Sequence, residues 1–241
     1  MPRGKIMIAV VVLLGVLCAG GAGVYWSLKH VPDFYQQALA EKVDPVVRKA
    51  AAKKFVQTTL RLVDRIQHED AWSEEFRQAQ INSWLAEELH QKYEEVVPPG
   101  VTEPRVQITE GSVLIGFRYE DENFQGVVSV RLRPWVPEPN RLAIEVESVK
   151  AGVVPIPLQD VIDEVTDTFK TEGWHVEWQQ ADGNDVLIVH LDSGGIEDQP
   201  TLERIDVVEG AVRIFGRRSS SSTGTDSPMR MSVLPSHSEA E

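Results

Sequence analysis

The chain has 241 residues, enough for a large apolar core, and a formal charge of −13 from 24 basic and 37 acidic groups. Arg3, Lys5 and Lys29 are the only charges in the first thirty residues, so the remainder carries 21 basic against 37 acidic groups. Such a body repels phosphate backbones and excludes nucleic acid from the expected partners, while the single cysteine, Cys18, excludes an intrachain disulfide or a cysteine-based zinc site.

The first element is the run Ile6 to Leu28, 23 residues without a formal charge. A helix of that length is about 35 Å long, enough to cross a hydrocarbon core. Tyr25 and Trp26 stand where an interfacial aromatic pair belongs, and Lys29 follows. The run also fits the apolar region of a cleavable signal, with Ala19, Gly21 and Ala22 as small residues near a cleavage site. Its continuation into the aromatic pair favours an uncleaved anchor, and both readings export the body. The expected placement is single-pass in the cell membrane, N-terminus inside and body extracytoplasmic, with residues 6–28 in contact with the bilayer.

Asp33 opens a short helical stretch to Val43, and Pro45 suits the first turn of a longer helix with Val47, Ala51, Phe55, Leu62, Val63 and Ile66 near one face. A single packed face or a short coiled-coil stalk would both use that spacing. Ala71 to Tyr93 reads as a second amphipathic helix, with Glu74 and Glu75 at its positive end and Ile81, Trp84, Leu85 and Leu89 as its stripe. Asn82 lies beside the stripe, where it can bond a backbone group or line a groove.

The period then changes to two. Val106 and Ile108; Val113, Ile115, Phe117 and Tyr119; Val128, Val130 and Leu132; and Leu142, Ile144 and Val146 mark four successive strands. Links at 110–111, 120–123 and 137–140 are short enough to make neighbours antiparallel, with one face buried and the other largely wet. Pro155 and Pro157 steer the chain into a helix whose stripe is Leu158, Val161, Ile162, Val165 and Phe169, expected to lie along the sheet's apolar face. Trp174 to Leu191 reads as a hairpin turning at Asp182 and Gly183, and 201–216 as another turning at Glu209 and Gly210. From Arg217 the composition becomes that of a disordered tail.

The expected fold class is therefore α+β: an N-terminal transmembrane helix, two amphipathic helices, an antiparallel sheet of about four strands, a crossover helix and two further hairpins. The corresponding segments are an anchor at 1–30, a juxtamembrane helical segment at 31–70, an extracytoplasmic α+β domain at 71–216 and a disordered tail at 217–241.

Signatures of chemistry are missing from the sequence: it has no P-loop, dinucleotide fingerprint, nucleophile elbow or H-E-x-x-H. His175 with Glu177 and His190 with Asp192 sit two apart on strands, a spacing that chance supplies freely, and Asp192, Glu197 and Asp198 lack the regular spacing of a calcium loop. Glu120, Asp121 and Glu122 read as a solvated loop tip. The tryptophans serve either as core pillars or as walls of an apolar groove. No catalytic residue, metal or cofactor is expected, and the chain reads as a non-enzyme.

The segments "QINSWLAEEL" (80–89), "PRV" (104–106) and "AGVVPIPL" (151–158), with Trp178 on a later strand, resemble uncharacterised single-pass bacterial envelope proteins and, more distantly, the YpmS and LmeA types of anchored or exported proteins. The likeness covers Trp72 to Leu191. It implies an elongated curved sheet around helices and, from LmeA-like members, lipid binding. On that basis the expected groove between sheet and crossover helix is lined by Trp84, Phe117, Val130, Ile144, Val161, Ile162 and Val165 and takes a lipid or other apolar ligand. The alternative is a structural or interaction component of a cell-envelope assembly, with an envelope protein as partner.

Overall fold

The computed structural model describes residues 27–89, 97–122, 124–156, 162, 166–167, 169–171, 173–181, 183–191 and 200–218. It is an α+β fold with two antiparallel sheets. Three helices come early: α1 (Asp33–Ala40), α2 (Pro45–His68) and α3 (Gln78–Trp84), the last continuing into a single π turn, Leu85–Leu89. Among the described residues no helix is long and apolar enough to cross a membrane, and all of the predicted span except Ser27 and Leu28 lies outside them.

The larger sheet has seven strands. β2 (Val101–Thr109), β3 (Ser112–Glu120), β4 (Gln125–Glu138) and β5 (Arg141–Ala151) follow one another as antiparallel neighbours, as their short links require. β6 (Val154–Pro155) pairs with the end of β5. The sheet is wider than its four expected strands because β8 (Asn184–His190) pairs with β5 and carries β7 (His175–Ala181) on its outer side. The smaller sheet has the order β1–β10–β9, from β1 (Ala71–Arg77), β9 (Pro200–Val208) and β10 (Ala211–Arg218).

Two expectations are corrected here. Ala71–Arg77 is a strand, not the start of a helix: its seven residues pair with Arg217–Ala211 of β10, and Trp72 is buried against Gly216. The alternation of Trp72, Glu74 and Phe76 carries a period of two that the helical reading passed over, and the helix begins only at Gln78. Arg217 and Arg218 belong to β10, paired with Ala71 and Pro200, so the ordered chain passes the expected start of the tail; residues 219–241 lie outside the described residues.

α2 starts where Pro45 placed it, with the Asp44 carboxylate accepting from the Val46 amide at 2.8 Å. Its packed side is centred on Ala52, Phe55 and Thr58: Phe55 meets Phe76 of β1 edge-on at 5.8 Å and Trp84 of α3 at 5.2 Å. Such aromatic pairs contribute about 0.5–1.5 kcal/mol each beyond area burial. Val47 and Val63, expected on that stripe, are 58% and 47% exposed, because the contact with β1 and α3 lies a quarter-turn away from them.

The two sheets are tied by main-chain bonds. Gly111 donates to the Val207 carbonyl at 2.9 Å, Gly210 to the Ile108 carbonyl at 3.0 Å, and Asn140, at the tip of the β4–β5 hairpin, donates to the Leu202 carbonyl at 2.9 Å. β4, with 14 residues, spans about 45 Å, so the hairpin reaches from the end of the sheet beside Ser27 to the smaller sheet.

Candidate functional site

Register decides which side chains share a face. Ile115 stands between Val106 and Val130, Val113 between Ile108 and Leu132, and Phe117 beside Val128; across β5 and β8, Ile144 stands beside Leu187. Alternation then places them all on one aliphatic face. The middle of this face is half-buried at Val113, Ile115, Phe117, Val128, Val130 and Leu132, while Val106, Ile108, Leu187 and Val189 at its margins are buried. The result is an incompletely buried apolar strip, the trough, along β3 and β4.

Of the expected groove residues, Phe117, Val130 and Ile144 are brought together on this face. Val161 and Val165 lie outside the described residues, and Ile162 is helical and half-buried. Trp84 packs in the helical layer against Phe55. After the proline pair, residues 162, 166–167 and 169–171 are helical, and among the described residues the Trp178 indole N–H donates to the Thr166 hydroxyl at 2.9 Å. Trp178 pairs with Leu187, so this contact is on the same side as Ile144.

The opposite face is not wet in the way alternation suggested. α1 covers part of it: Tyr35 is fully buried, its hydroxyl donates to the Glu103 carbonyl at 2.9 Å, and the rings of Phe34 and Tyr35 fill the space above Gly116. Ser112, Leu114 and Val127 are buried there, and Ala143, Val186 and Ile188 form a compact cluster with Trp135. Burial raises the Tyr35 phenol above its ordinary pKa, with the Glu103 charge adding to the effect.

Between these apolar patches runs a row of charges. Glu145 and Glu147, two apart on β5, share one side of the strand, and one extra residue opposite the Arg131–Leu132 step makes a bulge that sets Ser148, not Glu147, opposite Arg131. Arg133 then binds both, Glu147 at 2.7 Å and Glu145 at 3.4 Å, and Asn184 donates to Glu145 at 2.6 Å. Next to this row lies a cavity of about 210 Å³, walled by His30, Pro32 and Phe34 on one side and by Leu114, Ser129, Arg131, Ser148 and Lys150 on the other, with Val130, Gly152 and Val153 at its rim. Among the described groove residues only Val130 borders it. The alternating polar positions of β4 and β5 carried a signal for it, but only the strand register shows which cation stands opposite which hydroxyl.

A second depression, about 590 Å³, lies on the smaller sheet between Trp72, Phe215, Gly216, Glu203 and Arg204, with the Arg204 guanidinium 4.1 Å from the Phe215 ring centre. On the same sheet, hydrogen bonds from Arg213 and Arg77 hold the Glu75 carboxyl below its ordinary pKa.

The histidines of β7 and β8 do meet: the rings of His175 and His190 are 4.7 Å apart and His190 Nε2 is 3.5 Å from Glu177. Among the described residues no three His, Cys, Asp or Glu side chains are grouped to hold a metal ion. Asp121 closes its own loop, accepting from the Phe124 amide at 2.6 Å, and Asp192, Glu197 and Asp198 lie outside the described residues.

No family model, curated protein or solved structure matches this chain. The functional reading therefore stands on the geometry of the two sheet faces.

Proposed function

We propose that the chain is a membrane-tethered, extracytoplasmic binding module that lays an acyl chain or other apolar ligand along the aliphatic face of the larger sheet, under the helix that follows the proline pair. The observation that carries this reading is the incompletely buried middle of that face. Six aliphatic or aromatic side chains stand side by side on β3 and β4 in register, only partly buried between buried margins. A face that served only as core would close over its central strands first; one left incompletely buried there offers apolar area to a ligand, each buried CH₂ contributing about 0.8 kcal/mol.

Residues 6–28 supply the tether in this reading. Its support is local: the Ser27 carbonyl accepts from the Val153 amide at 3.1 Å, so the last residues of the uncharged run are seated on the end of the sheet. The resemblance read from 80–89 and 151–158, where it extends to LmeA-like members, is in keeping with a lipid ligand.

Native mass spectrometry of the full-length protein extracted in mild detergent tests the proposal. A co-purified lipid adduct that is lost in an Ile115→Asn variant is the expected result. A protein that carries no adduct and binds no fluorescent fatty acid overturns it.

One observation favours the second reading, a non-enzymatic interaction component of an envelope assembly. Val46, Leu60 and Val63 on the outer side of α2 are 77%, 64% and 47% exposed, more apolar surface than a solvent-facing helix needs. Cross-linking through that helix to a second envelope protein, with no lipid bound, would select this reading.

A further inference from the structure

We propose that the cavity between residues 30–34 and strands β3–β5 binds a phosphate-bearing anion of headgroup size. The proposal concerns the opposite side of the sheet from the trough and goes beyond the function given above.

The first argument is the lining. Among the described residues that border it, the ionisable groups are His30, Arg131 and Lys150, with no carboxylate, in a chain of net charge −13. A cation-lined recess on an acidic protein concentrates anions that the rest of the surface repels.

The second is register. Ser129 stands opposite Lys150 and Arg131 opposite Ser148, so two adjacent cross-strand pairs each contribute one cation and one hydroxyl on the same face. Diagonal neighbours on a sheet are about 7–8 Å apart, a span that the long Arg and Lys side chains close around a tetrahedral anion while the hydroxyls donate from below.

The third is that the cations are not consumed by the protein. Among the described residues Lys150 has no carboxylate partner. The carboxylate nearest Arg131 is Glu147 at 3.9 Å, and that group is held more closely by Arg133 at 2.7 Å. The bulge in β5 thus assigns both glutamates of the row to Arg133 and leaves the next two cations facing the cavity.

Size and position narrow the ligand. At about 210 Å³ the cavity is smaller than the roughly 300–1,000 Å³ that holds a drug-sized molecule, which fits a phosphomonoester headgroup and not a whole lipid. Phe34, Leu114 and Val153 add apolar contacts suited to a glyceryl backbone. The side made by His30, Pro32 and Phe34 follows Ser27 and Leu28 directly; where the tether of the proposed function holds, the cavity stands at headgroup depth.

Isothermal titration calorimetry on the full-length protein in nonionic detergent, with dioctanoyl phosphatidate, dioctanoyl phosphatidylcholine, glycerol 3-phosphate and inorganic phosphate as probes, tests this. Saturable binding of phosphatidate but not of phosphatidylcholine is expected, weakened roughly tenfold or more by Lys150→Gln and by Arg131→Gln and kept by Lys150→Arg. Ile115→Asn, which disables the trough, leaves this binding unchanged, so loss of the trough reading and loss of this one are told apart. Equal affinity for phosphatidate and glycerol 3-phosphate makes a soluble phosphate ester the ligand; tighter phosphatidate makes it a lipid headgroup. Both outcomes support the site. Thermal melts certify that each variant is folded. No saturable phosphate binding, or binding that persists in the folded Lys150→Gln/Arg131→Gln double variant, overturns the proposal.

Discussion

Asn82 holds both main-chain groups of Val106: its Nδ2 donates to the carbonyl at 2.9 Å and its Oδ1 accepts from the amide at 2.8 Å. One turn earlier Gln78 accepts from the Ile108 amide at 2.7 Å, and Gly210 donates to the Ile108 carbonyl. β2 is the outer strand of the larger sheet, and two amides four apart on α3 satisfy it as a neighbouring strand would. The same device recurs at Leu202, whose amide donates to the Asn140 side chain at 2.8 Å while its carbonyl accepts from the Asn140 amide.

Asn82→Ala leaves two groups of a buried residue unpaired and is expected to lower stability by about 2–4 kcal/mol. Urea unfolding of the two proteins measures it. A loss below a few tenths of a kcal/mol would mean that water replaces the clamp.

Gly116 sits beneath α1, and a Cβ there would lie 2.8 Å from Tyr35 Cδ2 and 2.9 Å from Phe34 Cζ. Gly116→Ala is expected to cost about 1–3 kcal/mol by forcing the rings off the sheet. Tyr35→Phe, which keeps the ring and removes only the bond to the Glu103 carbonyl, should cost about 1 kcal/mol. Thermal melts that rank the two in the opposite order would place the strain elsewhere.

Phe117→Ala removes the largest side chain of the trough's central pair with Val128. If an acyl chain lies there, the dissociation constant of a fluorescent fatty acid rises roughly tenfold or more, since burying one such ring is worth about 1.5–3 kcal/mol. Titration of the full-length protein reads the change; unchanged affinity removes the trough from the binding site.

Glu75 accepts from Arg213 Nε at 2.7 Å and Arg77 Nε at 2.8 Å, which favours its ionised form in the folded protein. The folded-state pKa lies below the unfolded one, so this stabilisation is present above the ordinary carboxylate range and disappears as pH falls through the folded value. Unfolding free energies of the native protein and Glu75→Gln should therefore differ at neutral pH and converge in acid. Curves that stay parallel down to the acid limb would assign the effect to packing.

Much of this architecture was written locally. Pro45 after Asp44, the glycines at 111, 183 and 210, and the alternating apolar runs from Val106 to Val146 each act on their own backbone or nearest neighbours, so helix starts, turns and strands followed from them. The antiparallel order of β2 to β5 followed as well, because links of a few residues permit nothing else.

What tertiary structure alone decided is pairing across distance. Ala71–Arg77 became a strand because β10, far along the chain, supplies its partners, and a segment whose own charges suit a helix start cannot announce that. The face expected to be wet is partly buried because α1 folds back over Gly116, while the aliphatic face stays incompletely buried. The cation and serine pairs of the cavity exist only through register, and one inserted residue in β5 sets which arginine takes the glutamates. Local propensity acts over a few residues; register and coverage are settled by contacts that form only when the whole chain has closed.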